Sequence, residues 1–115
     1  MKNLTNMQCV PCRRGEPAIT DDQIAKLLLQ IPEWNLSEQD GIKRLERQFN
    51  FNNFAQAMAF SIEVGTLAEA EDHHPAILTE WGKVTITWWT HILHGLHLND
   101  FILAAKTDRL FLPVN

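Results

Sequence analysis

The stretch that decides the fold runs from residue 34 to residue 51 and reads WNLSEQDGIKRLERQFNF. Asp40 and Gly41 at its centre form a typical two-residue hairpin turn, because both residue types tolerate the positive φ angles that a tight hairpin requires. Apolar residues of a single parity lie on each side of this turn: Trp34 and Leu36 before it, and Leu45, Phe49 and Phe51 after it. The stretch therefore predicts two antiparallel strands that share one apolar face.

A helix is predicted just upstream of this hairpin, in the segment TDDQIAKLLLQIPEW. Thr20 can cap its first turn, and Gln23 stands three residues later, as in a capping box. Apolar side chains then recur at helical spacing: Ile24, Leu27, Leu28 and Ile31. Pro32 ends the helix because proline cannot donate a backbone hydrogen bond.

Downstream of the hairpin, the Ala-rich segment NNFAQAMAFSIEVGTLAEAE predicts the longest helix of the chain, from about residue 52 to about residue 70. Phe54, Met58 and Ile62 recur in it at helical spacing. Gly65 lies inside this segment, and we expect it to mark a point where the helix and sheet backbones approach closely.

The second half of the chain repeats the pattern of a hairpin and a helix. AILTEWGKVTITWWT is rich in β-branched and aromatic residues and predicts two strands around a Gly82-Lys83 turn. The last helix is expected from about residue 98 to about residue 108, with Phe101, Ile102 and Ala105 facing inward. The order α-β-β-α-β-β-α predicts a two-layer α+β domain, in which three helices cover one face of a four-stranded antiparallel sheet.

Length and charge limit the classes of function. The 115 residues suggest one domain, which we place at residues 19–115 after a tail of residues 1–18. The net charge of −4 argues against broad nucleic-acid binding, which needs a basic face. There is no apolar run of about 18 residues to span a membrane and no apolar signal region at the N-terminus. We therefore expect a cytoplasmic protein that binds neither nucleic acid nor membrane.

The tail contains a single C-x-x-C pair, Cys9 and Cys12. A structural zinc site needs four ligands, and the histidines lie more than 60 residues away. A thioredoxin-like redox pair normally lies at a strand-to-helix junction, whereas this pair lies in a Pro- and Gly-containing leader. Reduced thiols in a flexible or docked tail are the favoured interpretation, and metal binding and redox chemistry stay open as alternatives.

The candidate chemistry lies in EDHHP, residues 71–75. If Gly82-Lys83 is a two-residue loop, His74 lies opposite His91 at the open end of the second hairpin, on the same sheet face. Pro75 cannot donate to a strand ladder, so the strand is expected to begin there, which leaves His73 at a loop–strand junction. An unperturbed histidine titrates at about pH 6.5, so these side chains can exchange protons near neutrality.

Carboxylates surround these histidines in the predicted fold. Glu69 and Asp72 lie at the end of the long helix, where they could fix the tautomer of an imidazole. Asp100 lies in the first turn of the last helix and could reach the same pocket.

On the residues alone, a proton-transfer site, a metal site and a solvated loop all remain open. His91, His94 and His97 recur at every third residue, which would suit metal binding, and carboxylates lie nearby. Gly95 interrupts this run, however, and the sequence contains no HExxH signature.

The spacing of these residues resembles the pterin-4a-carbinolamine dehydratase family. The family pattern is an acidic residue, three spacers, His-His-Pro, five spacers, an aromatic residue, nine spacers, a histidine, eight spacers and an aspartate. The matching residues are Glu69, His73, His74, Pro75, Trp81, His91 and Asp100. Thr90-His91 to Gly95-Leu96 and the phenylalanines at the entry to the long helix also match, so the resemblance spans roughly residues 19–111.

The resemblance implies the fold predicted above and a hydro-lyase activity, that of 4a-hydroxytetrahydrobiopterin dehydratase. Members of the family remove water from 4a-hydroxytetrahydropterin and give quinonoid dihydropterin. This reaction recycles the pterin cofactor of aromatic amino acid hydroxylases. The family uses neither a metal nor an organic cofactor, so the resemblance implies no metal site and a small pterin as the substrate.

The resemblance also implies roles for individual residues. His73, His74 and His91 would be catalytic, with His73 or His74 as the acid for the departing hydroxyl. Glu69, Asp72 and Trp81 would bind the substrate or orient the imidazoles. Asp100 would support His91. Glu71 and His94 fall outside the pattern, and we expect both to be solvated.

One departure from the family pattern concerns the start of the last helix. His97 stands where family members often carry a Ser or Thr cap, and a histidine caps a helix less well. This difference predicts a frayed helix start and a less rigidly placed Asp100.

A homo-oligomer, dimer or tetramer, is expected because an open sheet has edges to protect and the family associates through sheet edges and helices. The pathway could involve a phenylalanine hydroxylase. Two other functions remain open: a protein-binding module, like animal relatives that assist a homeodomain transcription factor to dimerise, and a role near molybdenum cofactor enzymes. The intact histidines favour the enzyme.

Overall fold

A computed structural model describes residues 3–11 and 17–111 of the chain. Three α-helices and four strands follow one another in the predicted order: α1 (Asp21–Leu28), β1 (Asn35–Gln39), β2 (Ile42–Asn50), α2 (Phe54–Glu71), β3 (Ala76–Glu80), β4 (Lys83–Trp88) and α3 (Leu98–Leu110). Two single-turn 3₁₀ helices lie at Leu4–Asn6 and His91–Leu93. The α+β fold class is therefore confirmed. No helix within the described ranges is both long and apolar enough to cross a membrane.

The four strands form one antiparallel sheet in the order β1-β2-β4-β3. Asp40 and Gly41 connect β1 to β2 with φ angles of 54° and 77°, so the predicted tight turn is confirmed. Apolar side chains of the central strands are almost fully buried on one face: Leu45, Phe49, Val84, Ile86 and Trp88. The helices pack against this face, and Phe101, Ile102 and Ala105 of α3 point into the core as predicted.

The turn of the second hairpin differs from the prediction by one residue. Glu80 pairs with Lys83, so the loop is Trp81-Gly82 and not Gly82-Lys83. The reason is a contact with Phe51, the residue that follows β2. Its backbone N–H donates to the Gly82 carbonyl at 2.8 Å, and a Cβ on Gly82 would lie 3.0 Å from the Phe51 oxygen. Cross-strand partners move by two residues, and the expected pairing of His74 with His91 is therefore wrong.

Helix α2 forms as predicted, but the glycine inside it does not face the sheet. Small side chains on the buried side, such as Ala57 and Ala68, allow the helix to pack closely. A Cβ on Gly65 would have no neighbour within 4 Å, so the expected close approach at this residue is wrong. The residues whose spacing predicted the helix lie outside the core, with exposed fractions of 47%, 39% and 63% for Phe54, Met58 and Ile62.

The described part of the predicted tail is docked onto the domain. Leu4 is 1% exposed and belongs to the core, and its backbone N–H donates to Gln30 Oε1 at 3.0 Å. Cys9 is half-buried. Cys12 lies outside the described residues, so the use of the C-x-x-C pair stays a prediction, as does the domain boundary at residue 19.

Candidate active site

A cavity of about 400 Å³ opens where the end of α2, the segment after β4, the start of α3 and the N-terminal segment meet. The histidines predicted to act together line it, together with backbone and side chains of the N-terminal segment. The lining residues are Cys9, Val10, Pro11, Glu71, Asp72, His73, His74, Thr90, His91, Ile92 and Asn99.

The end of α2 holds the two adjacent histidines in place. Asp72 adopts a left-handed conformation with a φ of 51°, and its backbone N–H closes the last turn of the helix on Ala68 and Glu69. The His73 N–H also donates to the Ala68 carbonyl, at 3.1 Å. Because Pro75 follows and β3 begins at the next residue, the histidines are fixed between a helix end and a strand start.

His73 is the most tightly held of the histidines in the cavity. Its Nε2 lies 2.7 Å from Asp100 Oδ1, and its ring stacks on Trp88 with a centroid distance of 5.9 Å and an interplanar angle of 18°. An ionised carboxylate can only accept, so Asp100 places the ring proton on Nε2. Nδ1 is then the nitrogen of His73 that is available to take a proton.

Asp100 is fully buried and is held by more than one donor. Besides His73, it accepts the Thr90 hydroxyl at 2.7 Å and the His97 backbone N–H at 2.9 Å, both on Oδ2. It was expected to support His91, and that expectation is wrong, because the partner that the fold brings to Asp100 is His73.

The predicted fraying of α3 is also wrong. His97 Nδ1 accepts the Asn99 backbone N–H at 3.0 Å, while the Asp100 carboxylate accepts the His97 N–H, which together make a capping box. A neutral imidazole has one acceptor nitrogen and can cap a helix when the ring is buried, and His97 is only 7% exposed.

His74 has a freer environment than its neighbour. Its side chain is 54% exposed, and its Nε2 lies 3.5 Å from Glu69 Oε1, on a carboxylate that is 79% exposed. An ion pair this long and this exposed contributes little to stability. His74 therefore lines the cavity as a half-exposed group that is open to proton exchange with solvent.

His91 reaches the cavity through a loop rather than through strand pairing. Thr90 and Gly95 bridge to each other, with the Thr90 N–H donating to the Gly95 carbonyl at 2.8 Å. His91 begins the 3₁₀ turn inside this loop, and its ring contacts Trp89 at a centroid distance of 4.5 Å. The guanidinium of Arg44 lies over the Trp89 ring, 4.1 Å from its centroid.

The run of histidines considered for metal binding does not converge. His94 is exposed in a left-handed conformation, as expected for a solvated residue, while His97 turns inward to cap α3. Within residues 3–11 and 17–111, no group of three His, Cys, Asp or Glu side chains is placed to hold a metal ion.

Comparison with known proteins decides the family. The sequence profile described as pterin 4 alpha carbinolamine dehydratase matches residues 17–110. A Chlorobium luteolum protein with the provisional name pterin-4-alpha-carbinolamine dehydratase is 52% identical over 111 residues, which cover 96% of this chain and 97% of that protein. The chain belongs to the pterin-4a-carbinolamine dehydratase family.

Solved structures agree with this membership. A transcriptional coactivator/pterin dehydratase from Brucella melitensis superposes with a TM-score of 0.72 at 27% identity, covering 81% of this chain and 97% of that one. A pterin dehydratase-like protein identified as a RuBisCO assembly factor in the α-carboxysome gives a TM-score of 0.58 at 26% identity, covering 68% and 88%.

Two residues of this family member lie elsewhere than expected. Trp81 occupies the β3–β4 turn, is 71% exposed and lies at the opposite end of β3 from the histidines, outside the cavity. Its role in binding stays a prediction. Glu71 was expected to be solvated, and this is wrong: its Oε1 lies 2.8 Å from Lys106 Nζ, both side chains are about one-fifth exposed (21% and 19%), and it lines the cavity.

The lining also contains residues that sequence reasoning missed. Thr90 was quoted only as part of a motif, and its hydroxyl bond to Asp100 shows why a hydroxyl stands there. No local signal marked the contact of Val10 with Asn99, because these residues meet across 89 residues of sequence.

Proposed function

We propose that this chain removes water from 4a-hydroxytetrahydropterin and gives quinonoid dihydropterin, by histidine acid–base catalysis and without a metal or organic cofactor. The observation that carries the proposal is the His73–Asp100 hydrogen bond of 2.7 Å, in a cavity that His74 and His91 also line. The family and the 52%-identical relative support the same reaction.

The elimination requires two proton transfers. The 4a-hydroxyl leaves as water after it takes up a proton, and N5 of the pterin loses its proton as the C4a=N5 bond forms. A histidine suits both transfers because it changes charge near neutral pH, and each such group contributes about 10²–10⁴-fold to the rate.

The environments of the histidines favour a division of these roles. We assign removal of the N5 proton to His73, whose Nε2 is committed to Asp100 and whose Nδ1 can accept. We assign protonation of the hydroxyl to His74, which is half-exposed and can regain its proton from solvent. His91 completes the cavity and holds the ring, while Glu69 and Asp72 orient the imidazoles or accept pterin N–H groups.

Stopped-flow dehydration of a synthetic 4a-hydroxytetrahydropterin tests this function. His74→Ala is expected to lower kcat by about 10²-fold, the usual contribution of one acid–base group. His94→Asn is the matched control, because His94 is an exposed histidine outside the cavity and Asn tolerates its left-handed backbone. Unchanged dehydration by His74→Ala would exclude the assignment, and one bound metal per chain would revive the metal-site alternative.

We also propose that the enzyme works in the cytoplasm and recycles the pterin cofactor of a phenylalanine hydroxylase. Adding the chain to a phenylalanine hydroxylase reaction should abolish the build-up of the 4a-hydroxypterin product. If the intermediate accumulates as before, a role near molybdenum cofactor enzymes becomes the better interpretation.

A homo-oligomer, dimer or tetramer, is part of the proposal. The exposed stripe of Phe54, Met58 and Ile62 on α2 supports it, because a soluble monomer rarely leaves such a row of large apolar residues in water. Ile62→Glu should shift the mass measured by light scattering towards the monomer. Leu29→Glu is the control, since Leu29 is an exposed apolar residue (80%) on another helix end. An unchanged mass for Ile62→Glu would remove the stripe as the interface.

The same stripe is what favours a second candidate function, the binding of another protein. The Brucella melitensis structure is described as a coactivator as well as a dehydratase, and the second structure as an assembly factor. A variant such as His74→Ala, which keeps the stripe and lacks the proposed acid, would separate a binding role from the enzymatic one.

A further inference from the structure

We propose that residues 4–11, here called the strap, form a substrate-binding wall of the cavity, and that Asn99 is the positioning residue that holds this wall in place. Because the ligand is taken to be the pterin proposed above, this role rests on the proposed function. The strap would act in binding, and the histidines that line the same cavity would act in proton transfer.

The strap lies outside the part of the chain that the family profile matches. The match begins at residue 17, yet Cys9, Val10 and Pro11 line the same cavity as His73 and His91. The cavity of about 400 Å³ has the size of a small-molecule site, and sites of this kind bury most of the ligand surface. Removing one wall would therefore expose the bound ring to water.

Two anchors hold the strap at its ends. At the first, Leu4 is buried in the core and its N–H donates to Gln30. At the second, the Val10 N–H donates to Asn99 Oδ1 at 3.0 Å, and Asn99 Nδ2 donates to the Val10 carbonyl at 2.6 Å. A carboxamide carries a donor and an acceptor side by side, so Asn99 satisfies both backbone groups of one residue, as a neighbouring strand would.

Asn99 links the strap to the proton-transfer side of the cavity. It is 3% exposed, lies in the first turn of α3 and precedes Asp100, the residue that fixes His73. Its backbone N–H is committed to His97 Nδ1 at 3.0 Å, and a side-chain substitution leaves that bond available. Side-chain variants of Asn99 should therefore release the strap while α3 and Asp100 stay in place.

The closing experiment compares Asn99→Ala and Asn99→Asp with the wild type in steady-state dehydration. Asn99→Ala should raise KM by about tenfold and leave kcat within about twofold, because a binding wall is lost and no proton-transferring group is touched. The KM of Asn99→Asp should lie between those of the wild type and Asn99→Ala, because a carboxylate still accepts from the Val10 N–H but repels the Val10 carbonyl. An unchanged KM, or a fall in kcat alone, overturns the role of the strap.

A second measurement needs neither turnover nor an altered Asn99. In the chain carrying Cys12→Ser, saturating dihydrobiopterin should slow alkylation of Cys9 by iodoacetamide by about tenfold, because the ligand would cover a thiol that lines the cavity. Equal rates with and without the pterin overturn the proposal. If dihydrobiopterin protects Cys9 in the Cys12→Ser chain but the wild type dehydrates nothing, the strap role stands and the proposed function fails.

Discussion

The substitution that tests the site most directly is Asp100→Asn. Asp100 is fully buried, and its two oxygens accept from His73, from the Thr90 hydroxyl and from the His97 backbone N–H, at 2.7, 2.7 and 2.9 Å. The change keeps the shape of the side chain but replaces one acceptor oxygen by an NH₂ donor. If the remaining oxygen still accepts the hydrogen bonds from the Thr90 hydroxyl and the His97 N–H, the new NH₂ group faces Nε2 of His73.

The expected effect on catalysis follows from this reversal. An NH₂ donor requires Nε2 to accept, so the ring proton moves to Nδ1, the nitrogen that the proposed mechanism needs unprotonated. We expect kcat to fall by about 10²–10⁴-fold, the contribution of one acid–base group. The free energy of unfolding should fall by about 2 to 4 kcal/mol. The buried hydrogen bond from His73 to a charged carboxylate is lost, and the bonds from Thr90 and His97 are then made to a neutral amide oxygen.

Asp108→Asn is the matched control for this experiment. Asp108 lies on the same helix, about 12 Å further along its axis, and accepts from Trp34 Nε1 at 2.8 Å and Arg47 Nη1 at 2.6 Å, away from the cavity. Its substitution should lower stability but leave dehydration intact. Stopped-flow kinetics and urea unfolding measure the two effects separately. If Asp100→Asn keeps kcat within about threefold of the wild type, the tautomer argument and the role of His73 as the base are refuted.

Three further predictions concern stability and use urea unfolding. Gly65→Ala should stabilise the monomer by about 0.5–1 kcal/mol, because a methyl group there meets nothing and alanine favours the helix; a loss of stability would show that another chain covers this face. Gly82→Ala should cost about 1–3 kcal/mol, since its Cβ would lie 3.0 Å from the Phe51 oxygen, and a neutral result would contradict the close approach. Burial raises the pKa of Asp108 above its ordinary value of 3.8, against the lowering by hydrogen bonds from Trp34 and Arg47. The folded state therefore binds the Asp108 proton more tightly than the unfolded state, and this contribution is present at acid pH and lost as the pH rises through the folded pKa. The unfolding free energy of the wild type minus that of Asp108→Asn should accordingly grow as the pH falls from about 7 towards about 4, whereas a constant difference would exclude the shift.

The parts of the fold that were predictable are those that local chemistry decides. Asp40 and Gly41 have positive φ angles in the structure. Few other residue pairs tolerate such angles, so the pair indicated the turn without any knowledge of distant contacts. The capping box of Thr20 and Gln23 is equally local, with both reciprocal bonds present. Such features need information from only a few adjacent residues, and the sequence supplies it.

The second hairpin shows where that information ends. A Trp-Gly loop and a Gly-Lys loop differ by one residue, and neither dipeptide has the strong turn preference of Asp-Gly. The choice is made by Phe51, which directly follows β2 and whose backbone approaches Gly82. The partner of Asp100 was missed for a related reason. His91 is nearer to it in sequence, but the 3₁₀ turn and the loop closed by Thr90 leave His73 beside the carboxylate.

The N-terminal segment is the clearest case of a long-range decision. Its composition is typical of a tail, and no periodicity marks Leu4 as a core residue. Its position depends on Gln30 and Asn99, which lie 26 and 89 residues away from their partners. A single sequence contains no signal for contacts of this range, so the wall that the strap adds to the cavity could only be seen in three dimensions.

Long-range contacts also explain how two identical neighbours come to lie in different environments. His73 and His74 are adjacent and chemically equal in the sequence, but the left-handed turn at Asp72 ends the helix just before them. One ring is thereby directed onto Trp88 and a buried carboxylate, while the other is left half-exposed beside Glu69. A base needs a fixed tautomer, and an acid that must regain its proton needs access to water. The break between α2 and β3 supplies both conditions within two residues, and this supports the proposal that the pair His-His, rather than either histidine alone, moves the two protons of the elimination.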